Sequence, residues 1–206
     1  MNTRNRLVYL VLLTLLCVAA NAACVSFFQA PPFPLVRAFG DSKYWMTAED
    51  IEYIIGSTAE RIVVPKGFVT DFASIPQGLW SFGLNPHGQY SRAALIHDYL
   101  YWSQGCTRAQ ADRLLVIVMK ESKLGSFDEF VIYNGVNLGS ERRWNDNANE
   151  RKAGMIRVVP EKYLHPADPN ITWPEYRFML VEDGVQDPTF IDNPSYCIYG
   201  TSTIVP

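Results

Sequence analysis

The sequence predicts an α+β fold: a small antiparallel sheet, then a three-helix unit containing an antiparallel helical hairpin, then a long irregular C-terminal wrap. Short β-rich runs separated by turn residues fill positions 44–70. From about residue 90 the apolar residues recur at helical spacing instead. From Glu141 the chain becomes polar and rich in proline, which predicts irregular structure with a strand or two near Tyr176 to Val181.

The predicted sheet consists of short runs of β-branched and aromatic residues, which fit a pleated and half-buried surface. Two turn sequences, Gly56-Ser57-Thr58 and Pro65-Lys66-Gly67, separate these runs. Residues 28–36 are rich in proline, and we expect an extended lead-in there. The predicted strands are Tyr44–Thr47, Ile51–Ile55, Arg61–Val64 and Phe68–Thr70.

Three helices are expected after the strands. Gly105 and Cys106 make a short turn between the first two, so these two should pack as an antiparallel hairpin. Thr107 begins the second helix, and Gln110 three residues later completes a capping-box pattern. The predicted helices run from about Tyr90 to Ser103, from Thr107 to about Lys123, and from Phe127 to about Leu138.

The N-terminus has the three parts of a signal peptide. Arg4 and Arg6 precede an apolar run from Leu7 to Val18, and Ala20-Asn21-Ala22 is a small-x-small cleavage sequence. The apolar run is about 12 residues long, short of the roughly 20 that a spanning helix needs. We therefore expect an exported protein, periplasmic or secreted, with an uncleaved membrane anchor as the alternative.

The chain of 206 residues is divided into four parts by these patterns. Its net charge of −3, without a basic stripe, argues against nucleic acid as a partner. Its 48% hydrophobic residues are typical of a globular protein. The predicted parts are a signal peptide at 1–22, an extended lead-in at 23–43, an α+β core domain at 44–140 and an irregular extension at 141–206.

The cysteines bear on where in the cell envelope or outside it the protein is located. Cys24 lies just past the cleavage zone, so lipidation of Cys24 and anchoring to the envelope is one alternative. Cys106 and Cys197 would then remain as an even pair and as disulfide candidates in an oxidising compartment. Cys17 would leave with the signal peptide, so if Cys24 is not lipidated, one of the three remaining thiols is left over.

A His–Asp pair is the leading candidate site. His97 lies at the centre of the apolar face of the first helix, and Asp112 falls inside the apolar stripe of the second. Both are about seven or eight residues from the hairpin turn, so they should face each other at the same height. The carboxylate would fix the imidazole tautomer, and the other ring nitrogen would accept a proton. The alternative is a structural pair that satisfies two buried polar groups.

Asp71 and Ser74 form a second candidate site on the loop after the strands. Ser74 with His97 and an Asp would make a nucleophilic triad. The same residues also suit turn formation and helix capping, and Asp71 could instead be a further ligand or a partner of His97. The run from Glu141 to Trp144 is either a cap and ion-pair cluster or an anionic-ligand site.

Three motifs carry a resemblance to a known family. They are Val64-Pro65-Lys66-Gly67-Phe68-Val69-Thr70-Asp71-Phe72-Ala73-Ser74-Ile75-Pro76, Ala93-Ala94-Leu95-Ile96-His97-Asp98-Tyr99-Leu100-Tyr101 and Ala111-Asp112-Arg113. Over roughly residues 44–140 the chain resembles the domain of unknown function 1353, found in phages and bacteria. The resemblance implies a domain boundary and a phage or prophage origin, but no settled activity.

A local resemblance bears on the chemistry. His97-Asp98-x-x-Tyr101, with Asp112 on the next helix, looks like the core of secreted phospholipase A2. This implies His97 as general base, Asp98 as a calcium ligand, and Tyr101 and Asp112 as the residues that hold His97. The segment Trp80 to Gly88 departs from that family because it lacks the glycine-rich calcium loop, and the dense disulfide framework is missing.

The sequence therefore favours an exported phospholipase-like or other ester hydrolase that uses His97 as base, with calcium as the implied cofactor. A membrane lipid or an envelope component is the expected partner. The alternative is a non-enzymatic exported phage or cell-envelope protein that binds a partner and uses the His–Asp pair as scaffold.

Overall fold

The computed structural model describes residues 33–72, 90–122 and 140–206. These residues form small antiparallel sheets and several helices, so the α+β class predicted from the sequence is confirmed. Several predictions fall outside the described residues, namely the signal peptide, the third helix at Phe127 to Leu138, and the candidate residues Cys24 and Ser74.

The strands make two separate sheets rather than the single predicted one. The first has the order β1-β2-β5, with Val36 paired to Thr47 and Trp45 to Thr70. The second is the β3-β4 hairpin. The chain passes from the first sheet to the second between Thr47 and Ile51, and the Ala48 N–H still donates to the Leu35 carbonyl of the first sheet. The strands are β1 (Val36–Ala38), β2 (Trp45–Thr47), β3 (Ile51–Ile54), β4 (Arg61–Val64) and β5 (Val69–Thr70).

Two helices form the predicted hairpin, α1 (Tyr90–Ser103) and α2 (Arg108–Glu121). The capping box at the start of α2 is present: the Gln110 N–H donates to the Thr107 hydroxyl oxygen, and the Thr107 N–H donates to Gln110 Oε1. Most of α1 is buried, because α2 covers one side of it while β4 and β5 contact another. The hairpin and the sheets therefore share one core.

The C-terminal region is more regular than the sequence predicted. Residues 140–152 form a helix (α3), and Trp173–Glu182 forms another (α4) where a strand was expected. The strand prediction near Tyr176 to Val181 is wrong because Thr172 and Glu175 make a capping box at the start of α4. Pro174 lies in the first turn, where the missing N–H costs no hydrogen bond. In the described ranges no helix has the length and apolar character needed to cross a membrane.

The end of the chain runs along α2 and is fastened to the hairpin turn. Cys106 and Cys197 form a disulfide with a Cα–Cα distance of 5.4 Å, and Cys197 lies in a 3-10 helix, Ser195–Thr201. Gly200 lies so close to α2 that an added Cβ would be 2.6 Å from the Gln110 carbonyl oxygen. The C-terminal segment thus wraps the domain and closes the outer face of α2.

The disulfide should contribute a large share of the stability. Replacing Cys106 and Cys197 together by serine is expected to lower the free energy of unfolding by about 4 kcal/mol, because the bridge closes a loop that spans 91 positions. Urea unfolding of the oxidised wild type, the reduced wild type and the double variant would measure this. The reduced protein should match the variant, and equal stability in all three samples would contradict the prediction.

Candidate functional site

Asp112 is the centre of the site. Its Oδ1 accepts hydrogen bonds from the Tyr101 hydroxyl at 2.5 Å and from His97 Nε2 at 3.1 Å. Its Oδ2 lies 3.4 Å from Arg108 Nη1, one turn earlier on α2. An ionised carboxylate can only accept, so Nε2 must carry the proton in this contact. His97 and Asp112 are both buried, at 3% and 5% exposure, which strengthens these electrostatic contacts.

Tyr101 fixes the orientation of both partners. Its ring packs against the imidazole of His97 at a centroid distance of 4.1 Å. Burial, and the hydrogen bond to Asp112, raise the pKa of the Tyr101 hydroxyl, so it stays protonated and continues to donate. The spacing of His97 and Tyr101, one helical turn apart, is what brings both side chains to the same carboxylate.

Helix α3 supports the site, although the sequence predicted irregular structure there. Ser140, Trp144 and Asn147 lie on one face of α3. The Ser140 hydroxyl accepts from Arg108 at 2.6 Å, Trp144 meets the Tyr101 ring edge-on at 5.2 Å, and the Asn147 amide donates to the Tyr101 carbonyl. These contacts are largely polar, so the apolar periodicity that reveals most helices is weak in this segment.

Asp98 faces away from this centre, toward the sheet. The Thr70 hydroxyl on β5 donates to Asp98 Oδ2 at 2.5 Å, and the same hydroxyl oxygen accepts from the Phe72 N–H. Burial raises the pKa of Asp98, and the nearby carboxylate of Asp71 raises it further. Asp71 in turn pairs with Arg143 of α3 at 3.4 Å. The structure therefore separates His97 and Asp98 into two neighbouring polar clusters.

The described residues do not fit the calcium ion that the phospholipase resemblance implies. Calcium in proteins binds roughly six to eight oxygen ligands, most of them from carboxylates, carbonyls and waters. Asp98 accepts from Thr70, and Asp71 is paired with the guanidinium of Arg143. Within residues 33–72, 90–122 and 140–206 no group of three acidic, His or Cys side chains is suited to a metal. Here an arginine supplies the positive charge beside the carboxylates.

His165 lies outside the two polar clusters, whereas part of the run from Glu141 to Trp144 contacts them. His165 is at an exposed position, where its Nδ1 is 2.8 Å from Arg37 Nη1. The residues from Glu141 to Trp144 have different surroundings. Arg142 pairs with Asp146 on the surface, whereas Arg143 and Trp144 face the two polar clusters.

The raised pKa of Asp98 predicts a pH-dependent stability difference. The folded protein holds this proton more tightly than the unfolded chain does, so the fold loses stability relative to the unfolded chain as the pH rises above the ordinary pKa of aspartate. Asp98→Asn should therefore raise the free energy of unfolding at about pH 8, and the gain should vanish toward about pH 4. Urea unfolding across this range measures it, with Asp146→Asn as the exposed control. A loss of stability that is the same at every pH would contradict the prediction.

Comparison with known proteins gives a family but no activity. Residues 45–136 match the family model DUF1353, described as a protein of unknown function. No curated protein and no solved structure matches the chain. The matched segment includes His97, Asp98, Tyr101 and Asp112, whereas α3 and the C-terminal segment lie beyond it. The resemblance predicted from the sequence is thus confirmed over residues 45–136, the segment that matches the DUF1353 family model.

Proposed function

We propose that this protein is an exported hydrolase of carboxylic esters, with membrane lipid as the expected substrate class and His97 as general base. The observation that carries the proposal is the hydrogen bond between His97 Nε2 and the buried carboxylate of Asp112. A carboxylate in this position holds the imidazole in one tautomer and stabilises the imidazolium that forms on proton transfer.

The proposed reaction follows from that geometry. His97 Nδ1 takes a proton from a water molecule, and the water oxygen forms a bond to the ester carbonyl carbon. The tetrahedral intermediate then breaks its bond to the alcohol oxygen, which receives the proton from the imidazolium. Tyr101 and Arg108 act as positioning residues, because they bond the carboxylate and keep Asp112 directed at His97.

Export is supported by two features of the chain. The Cys106–Cys197 disulfide is of a kind that persists in oxidising compartments and is rare in the cytoplasm. The N-terminal sequence has the pattern of a signal peptide. We propose a periplasmic or secreted location, with lipidation at Cys24 as the alternative that would keep the protein on the envelope. The phage or prophage origin implied by the family resemblance belongs to the same proposal.

The activity is tested with phospholipid vesicles and short-chain esters. His97→Gln should reduce hydrolysis by about 100-fold or more, because general-base catalysis contributes roughly that factor. Asp112→Asn should give a comparable loss, since an amide cannot stabilise the imidazolium. His165→Gln is the matched control, because it changes an exposed histidine outside the site. Release of fatty acid or alcohol is measured with calcium and with a chelator, and the rates should be equal.

The proposal fails if the wild type hydrolyses none of the lipids or esters under any cation condition, or if His97→Gln retains full activity. Circular dichroism and melting temperature of each variant show whether a loss of activity reflects unfolding. Loss of hydrolysis in the presence of the chelator would mean that the reaction requires calcium. That result would contradict the inference that Arg143 supplies the positive charge beside Asp71 and Asp98.

One observation favours a second function. His97 is buried, and Asp112 already has three donors, which is also what a stabilising polar pair inside a helical hairpin requires. A non-enzymatic envelope protein would use the pair only as scaffold. In that case His97→Gln would lower the melting temperature, and binding to an isolated envelope component would remain unchanged once the variant is folded.

A further inference from the structure

A cleft of about 720 Å³ lies between α3, the end of α4 and the segment 184–190. Small-molecule sites usually have volumes of roughly 300–1,000 Å³, so this cleft is large enough for a ligand. None of its lining residues belongs to the His97–Asp112 pair, and all except Gln104 lie beyond the matched segment 45–136. The C-terminal part of the chain thus adds a concave surface to the matched segment.

Two cationic side chains line this cleft, Arg151 and Lys152 at the end of α3. Arg151 Nη1 donates to the Ser103 carbonyl at 2.9 Å, and the guanidinium carbon lies 5.1 Å from the centroid of the Phe190 ring. These two contacts hold the guanidinium in place. Within the described part of the chain the Ser103 carbonyl is its one hydrogen-bond partner, so further N–H groups remain for a ligand.

The acidic residue of the cleft does not cancel this charge. Asp187 Oδ1 accepts from the backbone N–H groups of Arg157 and Val158, and its Oδ2 accepts from Trp102 Nε1 at 2.6 Å. Its carboxylate is therefore committed to the protein interior, where the indole and the two amides compensate it. Arg151 and Lys152 remain as the charges that a ligand would meet.

Most of the other lining side chains are apolar, so they can contact the apolar part of a ligand. We propose that the cleft binds a small amphipathic anion, with a carboxylate or phosphate head group on Arg151 and Lys152. The planar guanidinium suits such a group because it can donate two parallel hydrogen bonds to it. The apolar part of the ligand would pack on Met155, Val181, Val185, Pro188 and Phe190.

Isothermal titration calorimetry with three ligands of one chain length tests the proposal: decanoate, decyl phosphate and decyltrimethylammonium, each below its micelle concentration. We expect saturable binding of at least one anion and none of the cation. Binding of decanoate alone, or of decyl phosphate alone, supports the proposal and identifies the head group. His97→Gln should bind like the wild type, so failure here and failure of the proposed hydrolase are distinguishable.

Matched charge reversals locate the binding. Lys152→Glu should weaken anion binding by about tenfold, whereas Lys162→Glu, on an exposed 3-10 helix outside the cleft, should leave it unchanged. Arg151→Gln should weaken it at least as much, provided that its melting temperature shows a folded protein. No saturable binding of either anion, equal binding of the ammonium ligand, or equal affinities for the two glutamate variants would overturn the proposal.

Discussion

The site depends on one constraint, a carboxylate buried between two helices. Removing Asp112 from water is costly, and the structure offsets the cost with donors from His97, Tyr101 and Arg108. Each donor is placed by a different local feature. Tyr101 follows His97 by one turn of α1, and Arg108 precedes Asp112 by one turn of α2. Loss of any one donor would leave the buried Asp112 carboxylate with fewer hydrogen bonds and would destabilise the fold.

The same constraint extends to α3, which lies beyond the DUF1353 match. Arg108 contacts both Asp112 and Ser140, and Trp144 and Asn147 of α3 contact Tyr101. The hairpin alone could bring His97 and Asp112 together, but α3 fixes the residues around them. A largely polar segment can therefore form an ordered helix, because its inward side chains contact the Arg108 guanidinium, the Tyr101 ring and the Tyr101 carbonyl of the hairpin.

His97 and Asp98 are neighbours in sequence but have different surroundings. Successive residues on a helix point about 100° apart, so His97 faces α2 while Asp98 faces β5. In the phospholipase resemblance the second residue of the pair holds calcium. In this chain Thr70 and the Asp71–Arg143 pair surround it instead. The likeness therefore extends to the arrangement of His97, Tyr101 and Asp112, and the positive charge near Asp98 comes from an arginine of the protein.

The sequence predicted the parts of the fold that depend on strong local patterns. The boundaries of α1, the capping box at Thr107 and the β3–β4 hairpin all follow from apolar periodicity and turn chemistry. The hairpin turn also placed Asp112 opposite His97. Helix α3 gave no such signal because its contacts are polar. The T-x-x-E pattern at Thr172 is a capping-box signal for α4 that the prediction did not use, and the surrounding prolines favoured irregular structure with a strand instead. The Asp71–Arg143 pair joins residues 72 positions apart, and only the tertiary fold brings them together.

The central claim is that Asp112 accepts the Nε2 proton of His97 and so fixes the tautomer that the proposed reaction requires. Nitrogen-15 NMR of the histidine side chains in the folded protein tests this directly, with His97→Gln used to assign the signal. At neutral to mildly alkaline pH we expect the proton of neutral His97 on Nε2, and we expect Asp112→Asn to weaken that preference. A proton on Nδ1 in the wild type, unchanged by Asp112→Asn, would contradict the claim.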